Sequence, residues 1–330
     1  MTERPSTHQD LVVTALRERP QGFIDVVEIE LARTLPGAGT LGTAARDLVM
    51  ASGAKRARPW LVQLFGEVVG VGGADLVNAA VAVELIHTAS LLHDDVIDDA
   101  SVRRGRPTAN TLFGSTLAVL SGDLLLVRAL DRLTHLPRLM APTVATVAEM
   151  TLAIADEVEA RGNPDFTLEG WIAMARGKTG SLFGLCGRLA ALLGEDEARG
   201  AAWAEAGAHL GVAFQIADDI ADLCGTPGKG RYNDLRTGSP SYPVLWAASR
   251  SPALVEDLQA LWSAPPTSER LEAVGGQVLE LGAVVASTQA ANRAIEEARA
   301  ALGPDVGARS LSQLLGWAEA LVQTAALGSA

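Results

Sequence analysis

The stretch Ala79-Ala80-Val81-Ala82-Val83-Glu84-Leu85-Ile86-His87-Thr88-Ala89-Ser90-Leu91-Leu92 is the most apolar in the chain, and His93-Asp94-Asp95-Val96-Ile97-Asp98-Asp99 follows it at once. Its Ala- and Leu-rich composition, without polar alternation, predicts a helix apolar on most faces. Such a helix lies at the centre of a large bundle. Asp94 and Asp98 are four apart and share one face, with Asp95 about 100° round. Carboxylates this close repel one another, and a helix C-terminus adds an unfavourable dipole. The cluster is therefore either a solvated helix end or a place where cations bind.

A second copy shifts the balance. Phe214-Gln215-Ile216-Ala217-Asp218-Asp219-Ile220-Ala221-Asp222 again sets two carboxylates four apart, and it again follows an apolar helix, 207–221. Residues 111–130 read as a third helix of this kind. Two acidic clusters at the ends of buried helices suggest facing walls of one cavity. Oxygen ligands suit magnesium, which keeps waters and bridges to substrate phosphate. No His/Cys pattern at zinc spacing competes.

Cations that would meet phosphate are interleaved with these aspartates. Lys55-Arg56-Ala57-Arg58-Pro59 stands at an expected helix start, and Arg103-Arg104-Gly105 follows the first cluster. Gly177-Lys178-Thr179-Gly180 falls in a helical stretch, and Gly228-Lys229 follows the second cluster. Arg offers phosphate a planar fork and Lys a point charge. The chain as a whole is acidic, 39 Asp and Glu against 27 Lys and Arg, net −12, which argues against general nucleic-acid binding.

The rest of the chain is organised by turns. Helical periodicity runs nearly throughout its 330 residues, broken at Pro36 to Gly39, Gly70 to Gly73, Pro137, Gly162-Asn163-Pro164, Gly225 to Gly230, Pro265-Pro266 and Gly303-Pro304. No strand pair, repeat or linker is evident, so residues 1–330 read as one all-α domain. The first residues lack the apolar core of a signal peptide, and no run of about 18 uncharged apolar residues predicts a membrane span. Two cysteines, Cys186 and Cys224, fit a reducing compartment, and the expected location is cytoplasmic.

Neither a Walker A loop, a G-x-G-x-x-G turn nor a G-x-S-x-G elbow occurs. A magnesium–diphosphate site above an apolar interior points instead to ionisation of an apolar diphosphate. Metal stabilises charge on the leaving group, and apolar walls keep water from a carbocation.

These residues together resemble the trans-isoprenyl diphosphate synthases, or polyprenyl synthetases. The likeness rests on Lys55-Arg56-Ala57-Arg58-Pro59, His87, Asp94-Asp95-x-x-Asp98 and Arg103-Arg104-Gly105-x-Pro107-Thr108. It continues through Gly122-Asp123, Lys178-Thr179, Phe214-Gln215-x-x-Asp218-Asp219-x-x-Asp222, Gly228-Lys229 and Asp234-Leu235, and is close from about residue 40 to 250. It implies antiparallel helices around a deep central cavity, a homodimer, and head-to-tail condensation of isopentenyl diphosphate onto an allylic diphosphate with three Mg2+ ions. By the same resemblance Asp94, Asp98 and Asp218 are metal ligands, supported by Asp95, Asp219 and Asp222. Lys55, Arg58, His87 and Arg104 hold isopentenyl diphosphate; Arg103, Lys178, Thr179, Gln215 and Lys229 hold the allylic diphosphate. Two positions depart from the family: Ala54 replaces a glycine, and Ser239 stands where a lysine often follows Gly238.

In the family, side chains four and five residues before the first aspartate limit product length. Here they are Ser90 and Ala89, which leave room for a product of twenty carbons or more. Two other readings remain: a class I terpene cyclase, which would not need the Lys55, Arg58 and Arg104 set, and a subunit of a heteromeric synthase that works only with its partner.

Overall fold

The computed structural model describes residues 21–35, 39–51, 54–103, 106–225 and 231–327. It divides into two compact units, Glu18–Val147 with Leu185–Trp203, and Ala148–Gly184 with Ala204–Ala330.

The first unit holds α1 (Gln21–Thr34), α2 (Gly39–Val49), α3 (Ala57–Val69), α4 (Gly73–Ile97), α5 (Ala109–Phe113), α6 (Ser115–Leu133) and most of the next helix's first half. The helix α4 is the predicted apolar one. Ala79, Ala80, Val81, Ala82, Val83, Leu85, Ile86 and Ala89 are all buried, and α4 packs most extensively on α6 and then on α3. Its alanines let neighbouring helices approach closely, while its valines and leucines fill the core. The helix ends with a left-handed residue, Asp99 at φ 47. Asp99 N–H donates to Val96 O at 3.3 Å and Ala100 N–H to Asp95 O at 2.9 Å, the paired bonds of a Schellman end. Aspartate tolerates that backbone better than most residues.

The second unit contains most of α7 (Pro137–Ala160), then α8 (Leu168–Ala175), a π-helical turn (Arg176–Gly180) and the start of α9 (Ser181–Leu193). It also takes most of α10 (Glu197–Cys224), then α11 (Asn233–Thr237), α12 (Tyr242–Ala248), α13 (Pro252–Trp262), α14 (Ser268–Glu280), α15 (Ala283–Leu302) and α16 (Arg309–Leu327). Leu223, Tyr232, Leu235, Val244, Leu254, Leu258, Leu271 and Val278 form a core under its C-terminal helices.

Three local expectations are corrected. A two-residue antiparallel pair, β1 (Val102–Arg103) with β2 (Arg106–Pro107), follows α4 where no strands were expected. The segment 111–130 is not one buried helix: Gly114 at φ 83 breaks it, and Leu112, Val119, Leu120 and Val127 are exposed. Lys178 and Thr179 lie in a π turn, not in regular helix. By length and composition α4 and α7 could each cross a membrane, but 72% of the α4 window is buried within the protein, as in a core helix; for α7 the share is 33%.

Candidate active site

In the first unit the acidic end of α4 separates its aspartates by exposure. Asp94 is half-buried and Asp98 exposed, whereas Asp95 is 2% exposed. Arg103 Nε donates to Asp95 Oδ1 at 2.7 Å, so the buried carboxylate anchors the hairpin. Thr108 Oγ1 and Asn110 Nδ2 donate to Ala100 O at 2.6 and 3.1 Å and hold the returning chain against the helix end. Next to the cluster, the His93 ring lies over Gly122: a Cβ there would come within 2.2 Å of Nε2. Glycine at 122 is thus a requirement of packing. His93 Nε2 is also 3.5 Å from an Asp123 carboxylate oxygen.

The basic segment is built around Arg56, which was expected with Lys55 and Arg58 among the cations that meet phosphate but is buried instead. Arg56 caps α3 with a left-handed backbone, φ 50 and ψ 34, and its side chain is 3% exposed. Nε and Nη2 donate to Glu28 at 2.6 and 3.1 Å, Nη1 to Glu84 at 2.7 Å, and Nη2 to Val49 O at 2.6 Å. Burial opposes its charge, and the two glutamates more than restore it, raising its pKa above the usual arginine range. Removing one partner of such a buried pair costs about 3–5 kcal/mol. Lys55 and Arg58 flank it, half-buried, and His87 stands one turn beyond Glu84 on α4. A glutamate inside an apolar run was the signal in the sequence, since buried charges need partners.

Below His87, Ser90 Oγ donates to His87 O at 2.8 Å and remains partly accessible. Ala89 is 0% exposed, so no water-sized space touches its methyl group.

In the second unit the first two aspartates divide as before, but the third is buried where Asp98 is exposed. Asp218 is half-buried; Asp219 and Asp222 are buried. Asp219 accepts from Tyr242 N–H at 2.8 Å and from Gln215 Nε2 at 3.2 Å, and Thr179 Oγ1 donates to Gln215 Oε1 at 3.1 Å. Burial pushes the Asp219 carboxyl well above the usual range; bonds from Tyr242 and Gln215 oppose this, and the charges of Asp218 and Asp222 add to it. Asp222 accepts from Asp234 N–H at 2.9 Å. Both buried aspartates therefore fasten chain that follows the motif.

The π turn is held by glycines. A Cβ on Gly211 would meet Gly180 Cα at 2.3 Å, and one on Gly207 would meet Gly184 N at 2.4 Å. The two backbones touch, and this close crossing brings Thr179 to Gln215. π turns are frequent at functional sites because the extra residue redirects neighbouring side chains. Lys178 Nζ donates to Glu157, a partner 21 residues away that no periodicity points to. Ser239 Oγ is 2.9 Å from Thr237 Oγ1, and Arg236 is exposed. Arg104 and Lys229 lie outside the described residues.

Asp94 and Asp98 in the first unit and Asp218 in the second are accessible carboxylates, oxygen donors of the kind a hard cation takes, while Asp95, Asp219 and Asp222 are buried and bonded within the fold. Among the described residues, no three such groups make a metal site by themselves.

A sequence model described as polyprenyl synthetase matches residues 40–274. The chain is 31% identical over 281 residues to heptaprenyl diphosphate synthase component 2 of Bacillus subtilis, covering 83% of this chain and 80% of that one. Its fold superposes on a decaprenyl diphosphate synthase from Rhodobacter capsulatus with a TM-score of 0.85 at 30% identity, covering 96% and 98% of the two chains. It superposes on a polyprenyl synthase from Caulobacter crescentus CB15, complexed with calcium and isoprenyl diphosphate, with a TM-score of 0.83 at 26% identity, covering 99% of each.

Proposed function

Because this chain belongs to the polyprenyl synthetase family and is a trans-prenyltransferase that elongates prenyl diphosphates, we propose that it joins isopentenyl diphosphate to an allylic diphosphate as one catalytic domain and releases an all-trans product of twenty carbons or more. The observation that carries the site assignment is the division of each acidic motif into accessible and buried carboxylates. We assign magnesium, three ions when substrate is bound, to the accessible carboxylates Asp94, Asp98 and Asp218, and the positioning of those ligands to Asp95, Asp219 and Asp222.

Magnesium held there supplies positive charge to the departing diphosphate. Lys178, Thr179, Gln215, Arg103 and Lys229 hold the allylic diphosphate, with Thr179 and Gln215 already hydrogen-bonded to one another. Lys55, Arg58, Arg104 and His87 hold isopentenyl diphosphate, Arg58 from the first turn of α3, where the helix dipole is positive. The allylic C–O bond breaks, the isopentenyl double bond attacks the resulting cation, and a proton leaves to the released diphosphate. Ser90, which keeps accessible surface, leaves product length to deeper residues, whereas Ala89 is packed in the core and does not provide the room expected of it.

A second reading has support of its own, since the Bacillus subtilis relative is named as a component. In it the chain elongates only with another subunit. In the first reading it forms a homodimer, for which the exposed Val119, Leu120 and Val127 of α6 offer an apolar surface. Cys186 and Cys224, which form no disulfide with each other, fit a cytoplasmic setting.

The test is incubation of the pure chain with magnesium, labelled isopentenyl diphosphate and starters of five, ten, fifteen or twenty carbons. Elongation by the chain alone supports the first reading. Activity that needs an added subunit supports the second. Diphosphate release without elongation would overturn both in favour of a cyclase.

A further inference from the structure

We propose that Arg56 is a positioning residue for isopentenyl diphosphate: buried away from ligand, it sets where Lys55, Arg58 and His87 stand. This rests on the reading of those three as isopentenyl diphosphate ligands.

The geometry gives Arg56 a reach that its neighbours lack. It joins three separate pieces of chain: Glu28 on α1, Val49 O at the end of α2, and Glu84 on α4. Three of the four proposed ligands, Lys55, Arg58 and His87, are within three residues of an end of the Arg56–Glu84 ion pair. Lys55 immediately precedes Arg56, Arg58 is two residues on in the first turn of α3, and His87 lies three residues after Glu84. One clamp thus fixes the loop with Lys55, the helix start with Arg58 and the helix with His87 relative to each other.

Its backbone supports the same conclusion. A left-handed conformation is unfavourable for arginine, and it persists only where surrounding contacts over-determine it. Here the contacts are the planar fork spread over two carboxylates and a carbonyl. Lysine, with three donors on one atom and no fork, cannot reproduce the four bonds that Arg56 makes. At 3% exposure, the side chain is not placed to meet a substrate. Its charge therefore acts within the protein.

The experiment is steady-state kinetics with each substrate varied in turn, on Arg56→Lys and on the gentler Glu28→Gln, a side chain 37% exposed. Melting curves accompany both. Small misplacements of binding groups are costly. KM for isopentenyl diphosphate is expected to rise about 10- to 100-fold in Arg56→Lys. In Glu28→Gln it should rise about threefold or more, with KM for the allylic substrate within about twofold of wild type in both. A purely structural role would lower Tm and the active fraction and leave both KM values alone; that result, or equal rises in both, overturns the proposal. Should Arg56→Lys not fold, Glu28→Gln decides by the same criterion. Lys55→Ala in the same assay separates the two levels. If it leaves KM for isopentenyl diphosphate unchanged, the ligand reading fails and this inference with it. If it raises that KM while the Arg56 and Glu28 variants do not, this inference alone fails.

Discussion

The carboxylate of Asp219 accepts the backbone N–H of Tyr242 at 2.8 Å, while its neighbour Asp218 keeps accessible surface. Adjacent aspartates therefore answer to different tests. Asp218→Ala should lower turnover at least about 100-fold with the fold retained, as expected for loss of metal-assisted ionisation. Asp219→Ala should instead cost about 1–3 kcal/mol of stability, because it orphans a buried N–H. Asp219→Asn should cost less, since an amide oxygen still accepts that bond. Denaturant titration and turnover on the three proteins check this; an active, stable Asp218→Ala protein would refute the metal assignment.

Lys178 is bonded to Glu157, which places a carboxylate behind a residue assigned to the allylic diphosphate. Glu157→Ala should raise KM for the allylic substrate about tenfold, and the double variant should be no worse than Lys178→Ala alone. Additive effects would show that Glu157 acts by another route.

Gly211 and Gly276 are both helical glycines and should respond oppositely to alanine. At Gly211 the new methyl meets backbone at 2.3 Å, so the helices must part, costing about 1–3 kcal/mol or more and loosening Thr179 from Gln215. At Gly276, on α14, nothing lies within 4 Å, and alanine should stabilise by up to about 1 kcal/mol through helix propensity. Melting temperatures of the pair decide; destabilisation by Gly276→Ala would contradict the open space described there.

Cys186 is fully buried, and burial pushes its thiol up to about 12; the Arg58 charge opposes this and Glu84 adds to it. At pH 8 a thiol reagent should label the part-exposed Cys224 and spare Cys186 until the protein unfolds. The unfolded thiol ionises near pH 8.5, whereas the folded one holds its proton to about 12. Its contribution to stability is thus full below about 8.5 and declines as pH rises toward 12. Cys186→Ala should lack that alkaline component. Equal labelling of both cysteines in native protein would contradict the burial.

Ser90 and Ala89 can also be told apart. Ser90 is accessible, so Ser90→Phe should shorten the product while keeping the fold. Ala89 is packed without space, so Ala89→Phe should chiefly cost stability, about 1–3 kcal/mol. Product chromatography and melting curves read the two effects, and an unchanged product in Ser90→Phe would remove Ser90 from length control.

What the sequence made legible was local. Two carboxylates four apart after an apolar run mark a place on a helix: Asp94 and Asp98 fall at the end of α4 and Asp218 and Asp222 near the end of α10, though which of them would be buried could not be read from spacing. Pairings between distant residues were not legible: Glu28 and Glu84 lie 28 residues to either side of Arg56, and nothing in periodicity links them. The π turn at Lys178 was hidden because its cause is the touching backbone of Gly211, far along the chain. The break at Gly114 was passed over because a lone glycine is common inside helical patterns.

The tie between Asp95 and Arg103 has a consequence for the order in which the protein is made. Its partners are eight residues apart, as are Thr108 and Ala100, and Asn110 reaches back ten residues. The second motif instead waits on Asp234 and Tyr242, 12 and 23 residues downstream. Short-range contacts close fast, and synthesis runs from the N-terminus. A growing chain thus holds the means to finish its first acidic end by residue 110, when Asp218 has yet to be added.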